Sequence, residues 1–110
     1  MAIRTAQAIT VNGVAPVYHA ATPNTGDQVL AGERIWIHVR NGGGSSSTVT
    51  ISGAGATSYG EPMPDKQYTV PAGEELLIPL LPEFGNPEDG RLATFVCNPA
   101  ADVTFAALRI

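Results

Sequence analysis

Arg34-Ile35-Trp36-Ile37-His38-Val39-Arg40 is the stretch from which the fold can be read. Ile35, Ile37 and Val39 fall on one side of a period of two. Arg34, Trp36, His38 and Arg40 fall on the other, the pattern of a strand with one face against a core. Thr48-Val49-Thr50-Ile51-Ser52 repeats it, with Val49 and Ile51 inward and the β-branched threonines outward. Between the two runs lies Asn41-Gly42-Gly43-Gly44-Ser45-Ser46-Ser47. Such residues tolerate positive φ and bring no bulk, so the runs are expected to pair as a hairpin with a mobile tip.

Further short runs lie outward from this pair, punctuated by Gly, Pro, Asn and Asp. Gln67-Tyr68-Thr69-Val70 ends at the turn Pro71-Ala72-Gly73, and Glu75-Leu76-Leu77-Ile78-Pro79-Leu80 follows. Pro79 has no N–H to give a ladder, which places that end at an edge or a bend. Leu92-Ala93-Thr94-Phe95-Val96-Cys97 and Val103-Thr104-Phe105-Ala106-Ala107-Leu108 are expected to form a last hairpin around Asn98-Pro99-Ala100-Ala101. Near the start, Ala8-Ile9-Thr10-Val11 and residues 14–18 are weaker strand candidates, split by the turn Asn12-Gly13. No stretch of about ten residues keeps helical periodicity without a Gly or Pro. The expectation is an all-β chain of about seven to nine strands, a sandwich or a barrel. Residues 53–66 and 81–90, rich in Gly and Pro, read as two long loops.

With 110 residues there is room for one domain, residues 1–110, in which residues 1–7 are a candidate flexible arm. Charged residues make up 15% of the chain, against roughly 25% in a typical domain. A net charge of −4 and a single lysine, Lys66, argue against nucleic acid as a partner, since phosphate binding needs clustered cations. Apolar runs fall far short of the roughly 18 residues of a membrane helix, and no signal-peptide pattern follows Met1. The chain is therefore expected to be made in the cytoplasm, to stay soluble and to need no membrane. Cys97 is the only cysteine, which leaves no internal disulfide and no cysteine-based zinc site.

The residues that could carry chemistry find no matching partners. His19 and His38 are not at metal-ligand spacing, and a pH-sensing role for His38 would need a carboxylate partner. The glycine run lacks the Gly-Lys-Ser/Thr ending of a phosphate loop and precedes no helix. The serines have no elbow motif. Acidic residues at Glu74-Glu75 and across 83–89 match no calcium loop and are expected to belong to turns. No catalytic residue, metal or cofactor is assigned. Trp36 is open to three readings: an interface anchor, a ring buried under a loop, or a sugar platform. The candidate interface residues are Trp36 and His38 on the strand, with Tyr59, Met63 and Phe84 in the two long loops.

From about residue 26 to 110 the chain resembles small virion proteins encoded in the structural-gene region of tailed bacteriophages. The stretch from Arg34 through the Gly/Ser run to Thr48-Val49-Thr50-Ile51 is similar to their strand, tip and Thr-Val-Thr strand. Tyr68-Thr69-Val70-Pro71-Ala72-Gly73-Glu74 is similar to their Val-Pro-Ala-Gly turn. Phe84-Gly85-Asn86 with Asp89-Gly90-Arg91 resembles the loop before their penultimate strand. Val103-Thr104-Phe105-Ala106-Ala107-Leu108-Arg109-Ile110 resembles their C-terminal strand. The resemblance implies a jelly-roll-like β-sandwich acting as a capsid decoration (cement) protein on the outside of the virion head. The implied partners are the major capsid protein and other copies of this chain, as a homotrimer at three-fold positions. Two other readings stay open: a tail or head–tail junction component, and a carbohydrate-binding module using Trp36 and Tyr59.

Overall fold

The computed structural model describes residues 2–53, 59–61, 64–86 and 90–110. Among them run ten strands: β1 (Ala2–Arg4), β2 (Gln7–Ala8), β3 (His19–Ala20), β4 (Asp27–Leu30), β5 (Ile35–Asn41), β6 (Ser47–Ile51), β7 (Lys66–Val70), β8 (Glu75–Pro79), β9 (Leu92–Asn98) and β10 (Val103–Arg109). A 3-10 turn, Pro82–Phe84, precedes β9. The count slightly exceeds the seven to nine expected because the N-terminal segment contributes very short strands that carry almost no periodic signal.

The strands form two sheets. Sheet one has the order β1-β4-β9-β6-β7, and sheet two the order β2-β10-β5-β8. β3 shares the β2 edge of β10, against Thr104 and Phe105, while β2 lies against Leu108 and Arg109. From β3 onward the chain is a long antiparallel ribbon rolled over a core. β6 pairs with β7, β5 with β8, β4 with β9 and β3 with β10, and successive pairs alternate between sheets. This is the eight-stranded jelly roll, so the all-β sandwich expected from the sequence is the fold of the protein.

The hairpins expected from local pattern are not formed. β5 lies between β10 and β8 in sheet two, whereas β6 lies between β9 and β7 in sheet one. β9 and β10 are separated in the same way. The reason is the apolar alternation itself. Ile37 and Val39 of β5 and Val49 and Ile51 of β6 are all fully buried, on sheets that face each other across the core. The Gly/Ser run crosses between layers instead of turning within one.

Asn41 and Ser47 organise that crossing. The Asn41 amide donates to the Ser45 carbonyl at 2.8 Å and to the Val70 carbonyl at 3.0 Å, and its oxygen accepts from the Gly43 N–H at 3.0 Å. Ser47 donates to the Pro99 carbonyl at 2.8 Å, and the Gly42 N–H donates to the Asp102 carbonyl at 2.9 Å. Three sheet-to-sheet crossings, near residues 42–46, 71–74 and 99–102, are thereby tied together at one end of the sandwich. Both side chains are buried, and each satisfies groups that would cost roughly 1–3 kcal/mol if left unpaired.

The core between the sheets centres on Phe95 of β9 and Phe105 of β10, edge to face with centroids 5.0 Å apart. Gly26, just before β4, has φ +76°, and a Cβ there would stand 2.3 Å from the Phe95 carbonyl oxygen. Only glycine lets the chain enter β4 this close to β9. Asp27, also buried, accepts from the Thr22 N–H and hydroxyl at 2.9 and 2.8 Å and so closes the turn that leads in.

Within the segment considered as an arm, Ala2–Arg4 runs parallel to β4, and β2 then crosses to β10 in the other sheet. Residues 14–18, a strand candidate from the sequence, are irregular. Pro16 interrupts any ladder there. The Gln7 side chain takes the ladder's place, donating to the Ala15 carbonyl at 3.2 Å and accepting from the Val17 N–H at 2.7 Å. The turn at Asn12-Gly13 does form, closed by the Gly13 N–H on the Thr10 carbonyl at 2.9 Å.

Candidate functional site

β5 has one face on the core and one face outward, and the outward face carries Trp36, His38 and Arg40. Strand register fixes what surrounds them. Trp36 is opposite Leu108 and Pro79, His38 is opposite Ala106 and Leu77, and Arg40 is opposite Thr104 and Glu75. The β10 half of this face is covered, since Ala106 is fully buried although it points outward. The β8 half is open: Leu77 is 62% exposed, Pro79 and Glu75 are exposed, and Trp36 is partly buried at the boundary.

The cover comes from Tyr18, one residue before β3. Its side chain reaches over β10, and its hydroxyl lies 2.7 Å from His38 Nδ1. On the other side of the imidazole, Nε2 lies 2.9 Å from Glu75 Oε1. The same oxygen is 3.2 Å from Arg40 Nε, and the Arg40 guanidinium stands 5.0 Å over the Tyr18 ring. An ionised carboxylate only accepts, so Nε2 carries a proton toward Glu75, and the Tyr18 hydroxyl, which can donate or accept, completes the hydrogen bond at Nδ1. Both ring nitrogens are thus satisfied. Four residues from β5, β8 and the approach to β3 lock one another, and the imidazole's orientation is fixed.

The carboxylate partner that a pH-sensing His38 would require is therefore present as Glu75. Sequence reasoning missed Tyr18, Glu75, Leu77 and Pro79 as members of this face. Leu77 and Pro79 could have been found, since they alternate with the core residue Ile78. Tyr18 and Glu75 reach His38 only through the jelly-roll pairing of β3, β10, β5 and β8, for which no local signal exists. His19 lies elsewhere: its ring packs on Phe105 at 5.7 Å, toward the core. Among the described residues no group of three or more His, Cys, Asp or Glu is placed to hold a metal ion.

The remaining sequence candidates do not join this face. Tyr59 is 80% exposed in the loop between β6 and β7. Phe84, in the 3-10 turn, is half-buried and packs on the core edge beside Leu81 and Pro64. Met63 lies outside the described residues. The five candidates thus divide into one pair sharing a sheet face, two separate loop positions and one residue not described.

Comparison of the chain with protein-family models, curated proteins and solved structures gives no match.

Proposed function

We propose that the protein is a structural component of a tailed-bacteriophage virion: a capsid decoration (cement) protein that binds the outside of the assembled head and stabilises it. The observation that carries this reading is the open half of sheet two. There Trp36, Leu77 and Pro79 form an apolar strip bordered by the locked cluster of Tyr18, His38, Glu75 and Arg40. Protein interfaces have this anatomy, an aromatic-containing apolar centre with a polar rim. The side chains are held before any partner arrives, which lowers the ordering cost of binding. The partners on this reading are the major capsid protein and further copies of this chain as a trimer. A standard interface totals roughly 1,600 Å². Divided between neighbouring coat subunits, each part falls below what binds stably alone, so the site is composite and exists only on the assembled shell.

The test is a pull-down with expanded shells, compact precursor shells and unassembled coat protein, using the native chain, Trp36→Ala and a truncation lacking residues 1–7. Binding confined to expanded shells and lost in Trp36→Ala is the expected result. Equal binding to all three coat forms defeats the composite site. Full binding by Trp36→Ala moves the contact off this face, and loss in the truncation alone assigns it to the N-terminal segment. A copy number matching the head lattice, as opposed to a few copies per particle, separates decoration from a tail or head–tail junction role. A fluorescence shift of Trp36 on adding glycans, with no shell binding, replaces the proposal by carbohydrate recognition.

A further inference from the structure

The chain contains two Asn-Gly pairs at positions of opposite character, Asn12-Gly13 and Asn41-Gly42. We infer that Asn12 is a site of spontaneous deamidation and isoaspartate formation in the folded protein, and that Asn41 is protected by the fold.

The reaction needs a glycine nitrogen that base can reach and that local opening can bring onto the preceding side-chain amide. The Gly13 nitrogen loses its proton to base and bonds to Asn12 Cγ. The Cγ–Nδ2 bond breaks and ammonia leaves, giving a five-membered succinimide. Water then opens the ring. Cleavage beside the main-chain carbonyl leaves isoaspartate, and cleavage beside Cγ leaves aspartate. Water enters, ammonia departs, and no other reagent is consumed.

Asn12 meets these requirements. It is exposed at the tip of the turn, beside a fully exposed Val11. Its amide makes no hydrogen bond among the described residues. Gly13 has φ +81°, and nothing lies within 4 Å of where a Cβ would stand, so base and water reach the peptide freely. Two contacts hold the turn, the Gly13 N–H on the Thr10 carbonyl at 2.9 Å and the Thr10 hydroxyl on the Gly13 carbonyl at 3.3 Å, both local and at the solvent-facing tip.

Asn41 is buried and held by its own side chain, and its glycine is bound to a distant strand connection where Gly13 is bound only within its own turn. Its side chain is 3% exposed, both amide hydrogens are given to carbonyls, and its oxygen accepts from Gly43. The attacking atom itself, the Gly42 nitrogen, is bound to the Asp102 carbonyl. Attack at Asn41 requires all of these bonds to open together, at the point where three sheet crossings are joined.

The modification would also be chemically conspicuous. Residues 5–26 contain no Asp, Glu, Lys or Arg. Conversion of Asn12 therefore introduces the first charge of that segment, between exposed Val11 and Val14. The isoaspartate form further lengthens the backbone by one methylene within the turn.

Native protein is incubated in mildly alkaline buffer beside a sample in denaturing urea. Peptide mass mapping follows amide-to-acid conversion at each asparagine, and enzymatic methylation quantifies isoaspartate. In the native sample Asn12 is expected to convert about tenfold or more faster than Asn41, because exchange-type chemistry at a buried group waits on local opening. In urea the two rates converge. Asn12→Gln, a change at an exposed position, removes the isoaspartate signal. Equal native rates at the two sites, an unmodified Asn12 in native protein that converts in urea, or an undiminished signal in Asn12→Gln would each overturn the inference.

Discussion

At the scale of single residues, Cys97 is the group whose surroundings most change its chemistry. It is buried in β9 beside Val49 of β6, and burial, helped by the nearby charge of Asp27, pushes its thiol from 9.0 up to about 11. The thiol is the nucleophile only as thiolate, so at neutral pH this cysteine is an inert apolar packing group. The shift has a stability consequence of definite sign. Between pH 9 and about 11 the unfolded chain has lost the thiol proton while the folded chain retains it. The contribution is present in full below pH 9 and falls away as pH rises through that window, by on the order of 2–3 kcal/mol. Urea denaturation of the native protein and of Cys97→Ala across this range measures it. The variant is expected to be less stable at neutral pH, from the cavity, and to lose less stability on alkalinisation. Parallel curves for the two proteins would show that the thiol does not carry the alkaline slope.

Among the elements, β8 shows how the sandwich manages an open sheet edge. The Leu80 N–H donates to the Ile35 carbonyl at 2.9 Å. By the alternation of a strand, the N–H groups of Leu76 and Ile78 also point at β5, and those of Glu75 and Leu77 point at the free edge. Pro79 sits in the outward series and offers no donor there, which blunts the edge against pairing with another sheet. Pro79→Thr restores the donor. We predict that it raises concentration-dependent association above that of the native chain in sedimentation velocity, with far-UV dichroism unchanged. A folded variant with the native mass distribution at high concentration would remove this role from the proline. Pro79 also illustrates what can be read from a sequence of this kind. Its place at an edge was legible, as were β5 to β10, because period-two alternation reports which side chains meet a core. Which strand lies beside which was not. Asn41-Gly42-Gly43-Gly44-Ser45-Ser46-Ser47 has the composition of a hairpin tip and serves equally well to cross between layers. The difference lies in the Asn41 amide finding Val70, far along the chain. The candidate face was half legible for the same reason. Trp36 and His38 fall on the outward side of a strand by alternation alone, while Tyr18 and Glu75 are brought to His38 by pairings between distant strands.

For the whole molecule, the jelly roll covers the outer face of sheet two over β10 and leaves it open over β8. Isolated apolar residues on a surface carry little meaning, but Trp36, Leu77 and Pro79 are contiguous across paired strands. Light charge elsewhere lowers the repulsion between copies. We predict that the isolated protein associates, with three copies the expected state, and that Trp36→Ala with Leu77→Ser shifts it toward monomer. Light scattering at micromolar concentration reads both. A clean monomer for the native chain would remove self-association from the functional reading, leaving only trimerisation on a shell surface.

The rolled ribbon also bears on how the protein comes into being on a ribosome. β10 lies at the centre of sheet two, between β5 on one side and β2 and β3 on the other, and β9 lies at the centre of sheet one. Strands made early therefore wait for partners made late: β3 has no neighbour until residues 103–109 exist, and β4 joins β9 only after residues 92–98. Of the antiparallel neighbours, β6 and β7 alone are close enough in the chain to pair soon after synthesis. Each sheet can close only after its central strand has been made, sheet one after β9 and sheet two after β10, so β3 and β4 stay without their antiparallel partners while most of the sandwich is being synthesised.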